Sequence, residues 1–170
     1  MNQKEDKKIV DFTKKRKEKD INEIQYLTFK IGIENYAIKL VENKEVIEPP
    51  GITKVPNTKK YVMGVINLRG QIVPVINLGN KLDLSSENNK GQRIIVVEVN
   101  NSLVGIMVDD VKDVVGIAQD NIEEIKESKG GINQEFMNGV FPYENDLIII
   151  INIKDILFAD KEIEEVKNAQ

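Results

Sequence analysis

Hydrophobic and polar positions alternate over most of this chain. Leu27, Phe29, Ile31 and Ile33 alternate with Thr28, Lys30 and Gly32, the period of a half-buried strand. Glu34-Asn35 reads as a turn, after which Ile38 and Leu40 resume the alternation around Lys39, so the segment predicts a hairpin. Residues 41–48 fit a short helix or an irregular strand, stopped by Pro49-Pro50-Gly51. A second hairpin is predicted from residues 61–68 and 72–78 about a tight turn at Arg69-Gly70. Pro74 lacks a donor for a ladder, which predicts an edge strand or a bulge there. Residues 83–92 are polar and rich in turn formers, and read as a link. Apolar strands return at 94–99, 103–108, 114–117 and 147–153. In the last stretch, 154–170, Ile156, Ile163 and Val166 have helical spacing. Short strands at this spacing point to sandwiches or small barrels.

The two halves repeat each other. Residues 36–47 (YAIKLVENKEVI) align with 104–115 (VGIMVDDVKDVV) at an offset of about 68 residues. Gly64-Val65 aligns with Gly139-Val140, and 71–82 with 146–157, at an offset of about 75 that matches Asn77 to Asn152. The difference places an insertion in the second half near Gly130-Gly131. Units of this size have marginal cores alone and stabilise each other when packed together. Positions where the halves agree are explained by the fold, so positions where they differ become candidates for function. Asn67-Leu68-Arg69-Gly70 faces Pro142-Tyr143-Glu144-Asn145, and the turn itself therefore does not require Arg69. A guanidinium between apolar strands must be paired or displayed.

Composition narrows the chemistry. The 170 residues include no Cys, no His and no Trp, with 24 basic and 28 acidic side chains. Disulfides, thiol nucleophiles, imidazole bases and ordinary zinc sites are thereby excluded. A carboxylate enzyme would have to use Asp109, Asp110 and Asp113, but strand alternation sends the first two to opposite faces, and Glu42 and Glu45 match Asp110 and Asp113 in the other half. Neither a catalytic constellation nor a metal site is predicted. A nucleic-acid module needs stacking aromatics beside a basic groove, whereas aromatics are 5% and the net charge is −4. Residues 1–22 are charged and read as a flexible arm; Lys14, Lys15, Arg16, Lys17 and Lys19 form a basic run diluted by Asp11, Glu18 and Asp20. No apolar run approaches a membrane span, and the polar start is no signal peptide, so a cytoplasmic protein is expected.

The strings VMGVINLRGQIVPVINL, YLTFKIGIENYAIKLVENKEVIE and GIMVDDVKDVVGI resemble the CheW family of chemotaxis coupling proteins over residues 24–158. The resemblance implies an all-β fold of two intertwined five-stranded β-barrels (Src-homology-3-like), to which the chain's own pattern adds short helices and a C-terminal helix. The CheW-like domain would span 23–158, the first barrel about 23–83 and the second about 92–158, with strands free to exchange at the ends. Residues 159–170 would be a C-terminal helix or tail. It further implies a non-enzymatic adaptor without cofactors, joining the tips of methyl-accepting chemoreceptors to the regulatory domain of the histidine kinase CheA; the alternative is a two-barrel interaction module for another sensory kinase or receptor system. Such a protein would be recruited to receptor arrays and meet the membrane only through receptors. The family's essential arginine falls on Arg69 and its glutamate partner on Glu45. A receptor groove between the barrels makes Ile47, Val65 and Leu68 candidate contacts, with Gly64, Asn67 and Gly70 shaping the turn; the kinase-facing residues are not identified. Asn43, where valine is common, and Asn77, where many members carry aspartate, depart from the family pattern.

Overall fold

The computed structural model describes residues 22–84, 91–126 and 131–159. The arm (apart from Asn22), most of the 83–92 link and the helical spacing at Ile163 and Val166 lie outside the described residues. Among the described residues there are ten strands: β1 (Glu23–Ile31), β2 (Glu34–Lys39), β3 (Asn43–Ile47), β4 (Val62–Leu68), β5 (Gln71–Asn77), β6 (Arg93–Val99), β7 (Ser102–Val108), β8 (Asp110–Ala118), β9 (Met137–Tyr143) and β10 (Asp146–Ile151). Two short helices, α1 (Leu78–Lys81) and α2 (Ile153–Phe158), follow β5 and β10. The segment that fits helix or strand does both: a 3-10 turn at Leu40–Glu42 leads into β3.

The strands form two five-stranded sheets, ordered β8-β1-β2-β10-β9 (sheet A) and β3-β6-β7-β5-β4 (sheet B). Each sheet draws strands from both sequence halves. Mapping β1–β5 onto β6–β10 converts one order into the other, and the registers agree. Leu27 faces Val114 as Ile95 faces Val46, and Ile150 faces Gly139 as Val75 faces Gly64. The repeat in the sequence is thus a pseudo-two-fold relation in the structure.

Three apolar clusters explain the uninterrupted hydrophobic runs. Phe29, Tyr36, Ile38, Ile76, Ile106, Ile149 and Leu157 belong to the central core. Tyr26, Ala37, Val115, Phe141, Ile148 and Ile150, drawn from all five strands, form a core for sheet A alone. Ile66, Val73, Ile94, Val96 and Met107 do the same for sheet B, with Ile47 of β3 packed against them. A sheet whose five strands share one cluster must curl around it, so β6 and β10 are covered on both faces and do not alternate. The barrel expectation is met in this form: curled sheets whose ladders run between two edge strands without closing.

Two local readings need correction. The first hairpin turns at Gly32-Ile33, one pair earlier than expected, and Ile33 is 76% exposed instead of continuing the buried face. Gly32, with its positive φ, supplies the left-handed residue this turn needs. Pro74 lies on an interior strand, not an edge, and the nearby bulge is on β4. Its neighbour Val65 gives both backbone groups to Thr53 (2.9 and 2.8 Å), so the Val65–Pro74 pair exchanges no hydrogen bonds. Pairing with β7 begins only at Val75. The missing N–H therefore costs the β4 ladder nothing.

Candidate functional site

The site begins with a glycine. At Gly64 the β4–β5 register slips, φ is +139°, and a Cβ would overlap the carbonyl oxygen of Thr53. The close approach lets Thr53 bridge to Val65 on the outer side of β4. Gly139 repeats the arrangement at φ +147°, where Glu123 bridges to Val140. In both halves a side chain here would strike the bridging segment, on the Thr53 carbonyl at Gly64 and first on the Ile122 side chain at Gly139.

From there β4 runs to the turn. Asn67 accepts a hydrogen bond on Oδ1 from the Gly70 amide at 2.8 Å, closing the two-residue loop. Arg69 (φ 49°) and Gly70 (φ 86°) are both left-handed, as a tight hairpin loop requires. An arginine in that conformation is disfavoured relative to glycine or asparagine. Its presence calls for a reason beyond turn geometry.

Glu45 on β3 supplies a partner. The Arg69 guanidinium donates through Nη1 to Glu45 Oε2 at 3.3 Å and through Nη2 to Oε1, a two-pronged pair. The hydrogen bond and the charge of Glu45 hold the Arg69 pKa above its ordinary value, so the cation is permanent. β3 and the β4–β5 hairpin carry the opposite edges of sheet B, and the pair joins them where the curled sheet comes round on itself. Water competes strongly for such an exposed pair, which contributes little to stability. Arg69 is 74% exposed and Glu45 26%, which leaves the guanidinium on display and the carboxylate fixed beneath it.

Ile47 and Leu68 are partly buried against the sheet B core below the pair. Val65 is only 4% exposed and packs in the central core, so in this structure it supports the site from beneath. Sequence reasoning did not find Val46 and Ile72, exposed aliphatics beside Glu45 and after Gly70. Ile72 also lines a cavity of about 250 Å³ with Gln71, Val73, Asn101 and Leu103. The signal lay in the repeat: their counterparts Val114 and Leu147 are exposed apolar residues too.

The departures at Asn43 and Asn77 take definite places. The Asn43 side-chain oxygen is buried and has no partner among the described residues, where the other half has Val111 against the core. Asn77 caps α1, accepting from the Asn80 amide at 2.9 Å, as Asn152 caps α2 through Asp155 at 3.1 Å. The carboxylates considered for catalysis are dispersed: Asp109 accepts from the Gly32 amide at 2.6 Å, Asp110 pairs with Lys112 at 2.8 Å, and Asp113 meets Thr28 through its backbone. Among the described residues no acidic group is arranged to hold a metal ion, and no helix is long and apolar enough to cross a membrane.

Comparison with known proteins agrees with this geometry. The family model described as a CheW-like domain matches residues 25–161. A chemotaxis protein CheW of Helicobacter pylori is 35% identical over 146 residues, spanning 85% of this chain and 88% of the relative. One from Thermotoga maritima is 35% identical over 147 residues, 86% and 91% of the two chains. The crystal structure of the scaffolding protein TtCheW from Thermoanaerobacter tengcongensis superposes with a TM-score of 0.74 at 31% identity, covering 79% of this chain and 87% of that one. On fold, repeat and sequence together, the chain belongs to the CheW-like family, the coupling adaptors of bacterial chemotaxis.

Proposed function

We propose that the chain joins the cytoplasmic tips of methyl-accepting chemoreceptors to the regulatory domain of the histidine kinase CheA, and that the Arg69–Glu45 edge of sheet B meets the receptor. The carrying observation is the exposed Arg69, held in a disfavoured backbone conformation and paired across the mouth of its own sheet. Glu45 fixes the guanidinium, Asn67 and Gly70 fix the turn, and Ile47 and Leu68 give the edge a firm floor over the sheet B core. Val46 and Ile72 add exposed aliphatic surface on either side, suited to a helical hairpin that presents carboxylates between apolar side chains. Val65 and Gly64 act from below by setting the position of β4.

An adaptor of this kind transmits by linkage, not by bond chemistry. Receptor states that favour different arrangements of the complex bias the kinase through shared contacts. No cofactor, metal or nucleic acid enters this account, and contact with the membrane is indirect, through receptors in their arrays.

Titration with a receptor cytoplasmic fragment and, separately, with the kinase regulatory domain tests the proposal. Arg69→Glu is expected to weaken the receptor by about tenfold or more, the loss of a charge-assisted contact plus a new repulsion, while kinase binding stays within about twofold. Equal loss toward both partners, or unfolding of the variant by circular dichroism, would make Arg69 a structural residue.

A further inference from the structure

The edge of sheet A equivalent to the candidate site has the opposite character. In sheet B the equivalent positions carry Glu45, Thr53, Lys54, Arg69 and Gln71; in sheet A they carry Asp113, Glu123, Glu124, Glu144 and Asp146. All five sheet A residues are exposed carboxylates, against one carboxylate and two cations in sheet B. Where Arg69 meets Glu45, the pseudo-symmetry sets Glu144 opposite Asp113. Val114 and Leu147 are exposed beside them, and among the described residues no strand pairs with the outer edge of β8. This is a docking surface with an apolar centre and an acidic rim, and it calls for a ligand that combines cations with apolar side chains.

One such segment belongs to the chain itself. Residues 7–19 read KKIVDFTKKRKEK, seven basic side chains against two acidic ones, with Ile9, Val10 and Phe12 among them. The rest of the molecule is strongly acidic, since the whole carries −4. The described chain starts at Asn22, and Glu23 pairs with Ala118, the last residue of β8. Asp113 lies five residues back along that strand, about 17 Å. Eight residues of chain from Asn22 to Lys14 reach up to about 27 Å. Lys14, Lys15, Arg16 and Lys17 therefore come within range of Asp113 and Glu144, with Ile9, Val10 and Phe12 beyond them for Val114 and Leu147. The equivalent edge of sheet B has neither the charge nor this chain entry.

We infer that residues 7–19 dock on the acidic edge of sheet A, covering β8 and the β9–β10 turn of the same molecule. The arm is then a tethered ligand. Any partner that uses this edge must displace it, and the edge strand is shielded from pairing with other chains. Because the attraction is between exposed charges, it weakens steeply with ionic strength.

The chain has no cysteine, so Thr13→Cys carries a single nitroxide on the full-length protein. Amide signals of residues 113–115 and 144–147 are expected to lose at least about half their intensity, with 45–47 and 69–72 little affected. Raising salt from about 0.1 to 1 M, which shortens the Debye length from about 10 to 3 Å, should restore them. Asp113→Lys with Glu144→Lys should do the same; the salt series needs no change at the edge and decides the matter if that variant folds poorly. Broadening of both edges alike, of neither, or of signals that persist at 1 M salt would overturn the proposal. So would broadening that arises only between a labelled molecule and a different observed one, which would make the contact intermolecular.

Discussion

Two edges of one molecule, built on the same register, carry opposite electrostatics. At the mouth of sheet B, Arg69 and Glu45 form a near-neutral displayed pair; at the mouth of sheet A, Glu144 and Asp113 take the same two positions. The elements beneath them are alike: a glycine at large positive φ, an outer bridge, a tight turn, an asparagine-capped helix. The duplication separates residues that make the fold from residues that use it. Gly64 and Gly139 are common because a side chain would strike the bridging strand. Arg69 and Glu144 share a left-handed φ but not a charge, so their difference belongs to what each edge meets.

Gly64→Ala forces a Cβ onto the Thr53 carbonyl at a φ unfavourable to L-residues, and urea unfolding should show a loss of roughly 3 kcal/mol or more. Gly139→Ala should cost less, because its closest obstacle is the Ile122 side chain, which can turn aside, before the Glu123 carbonyl is reached. Equal losses would mean that Ile122 cannot turn aside and that the second bridge is as unyielding as the first. Next, Asn43→Val should stabilise the protein by about 1–2 kcal/mol by removing a buried oxygen with no partner among the described residues. Thermal melts that show destabilisation would place a hydrogen-bond partner on Asn43. The smallest expected effect comes from the caps: Asn77→Ala and Asn152→Ala should each cost about 1 kcal/mol, since each loses one side-chain bond to a helix amide. A cost at one alone would show that the two helices are unequal partners in the core.

Much of this was legible in the chain because a strand repeat preserves register as well as composition. The offsets of about 68 and 75 residues read from the sequence carry β2–β3 onto β7–β8 and β4–β5 onto β9–β10. The Arg69–Glu45 contact was legible only through family resemblance, since the two residues sit on opposite edges of a sheet whose curling no local pattern reports. Alternation misjudged Ile33 because Gly32 turns the chain before the next inward position. Pro74 misled because local sequence does not say which of a strand's pairs exchange hydrogen bonds. Val65 read as a contact from its place in the motif, whereas the outer bridge to Thr53 seals it into the core. The α1 helix was missed: four residues are too few for helical periodicity, and only the Asn77 cap announces it.

Calorimetric titration of a receptor cytoplasmic fragment against Arg69→Glu and Glu144→Arg decides whether the sheet B edge, and not its sheet A equivalent, meets the receptor. Arg69→Glu is expected to lose about tenfold or more and Glu144→Arg to change within about twofold, with both variants folded. A larger loss at Glu144, or equal losses at both turns, would contradict the assignment of the receptor to the sheet B edge.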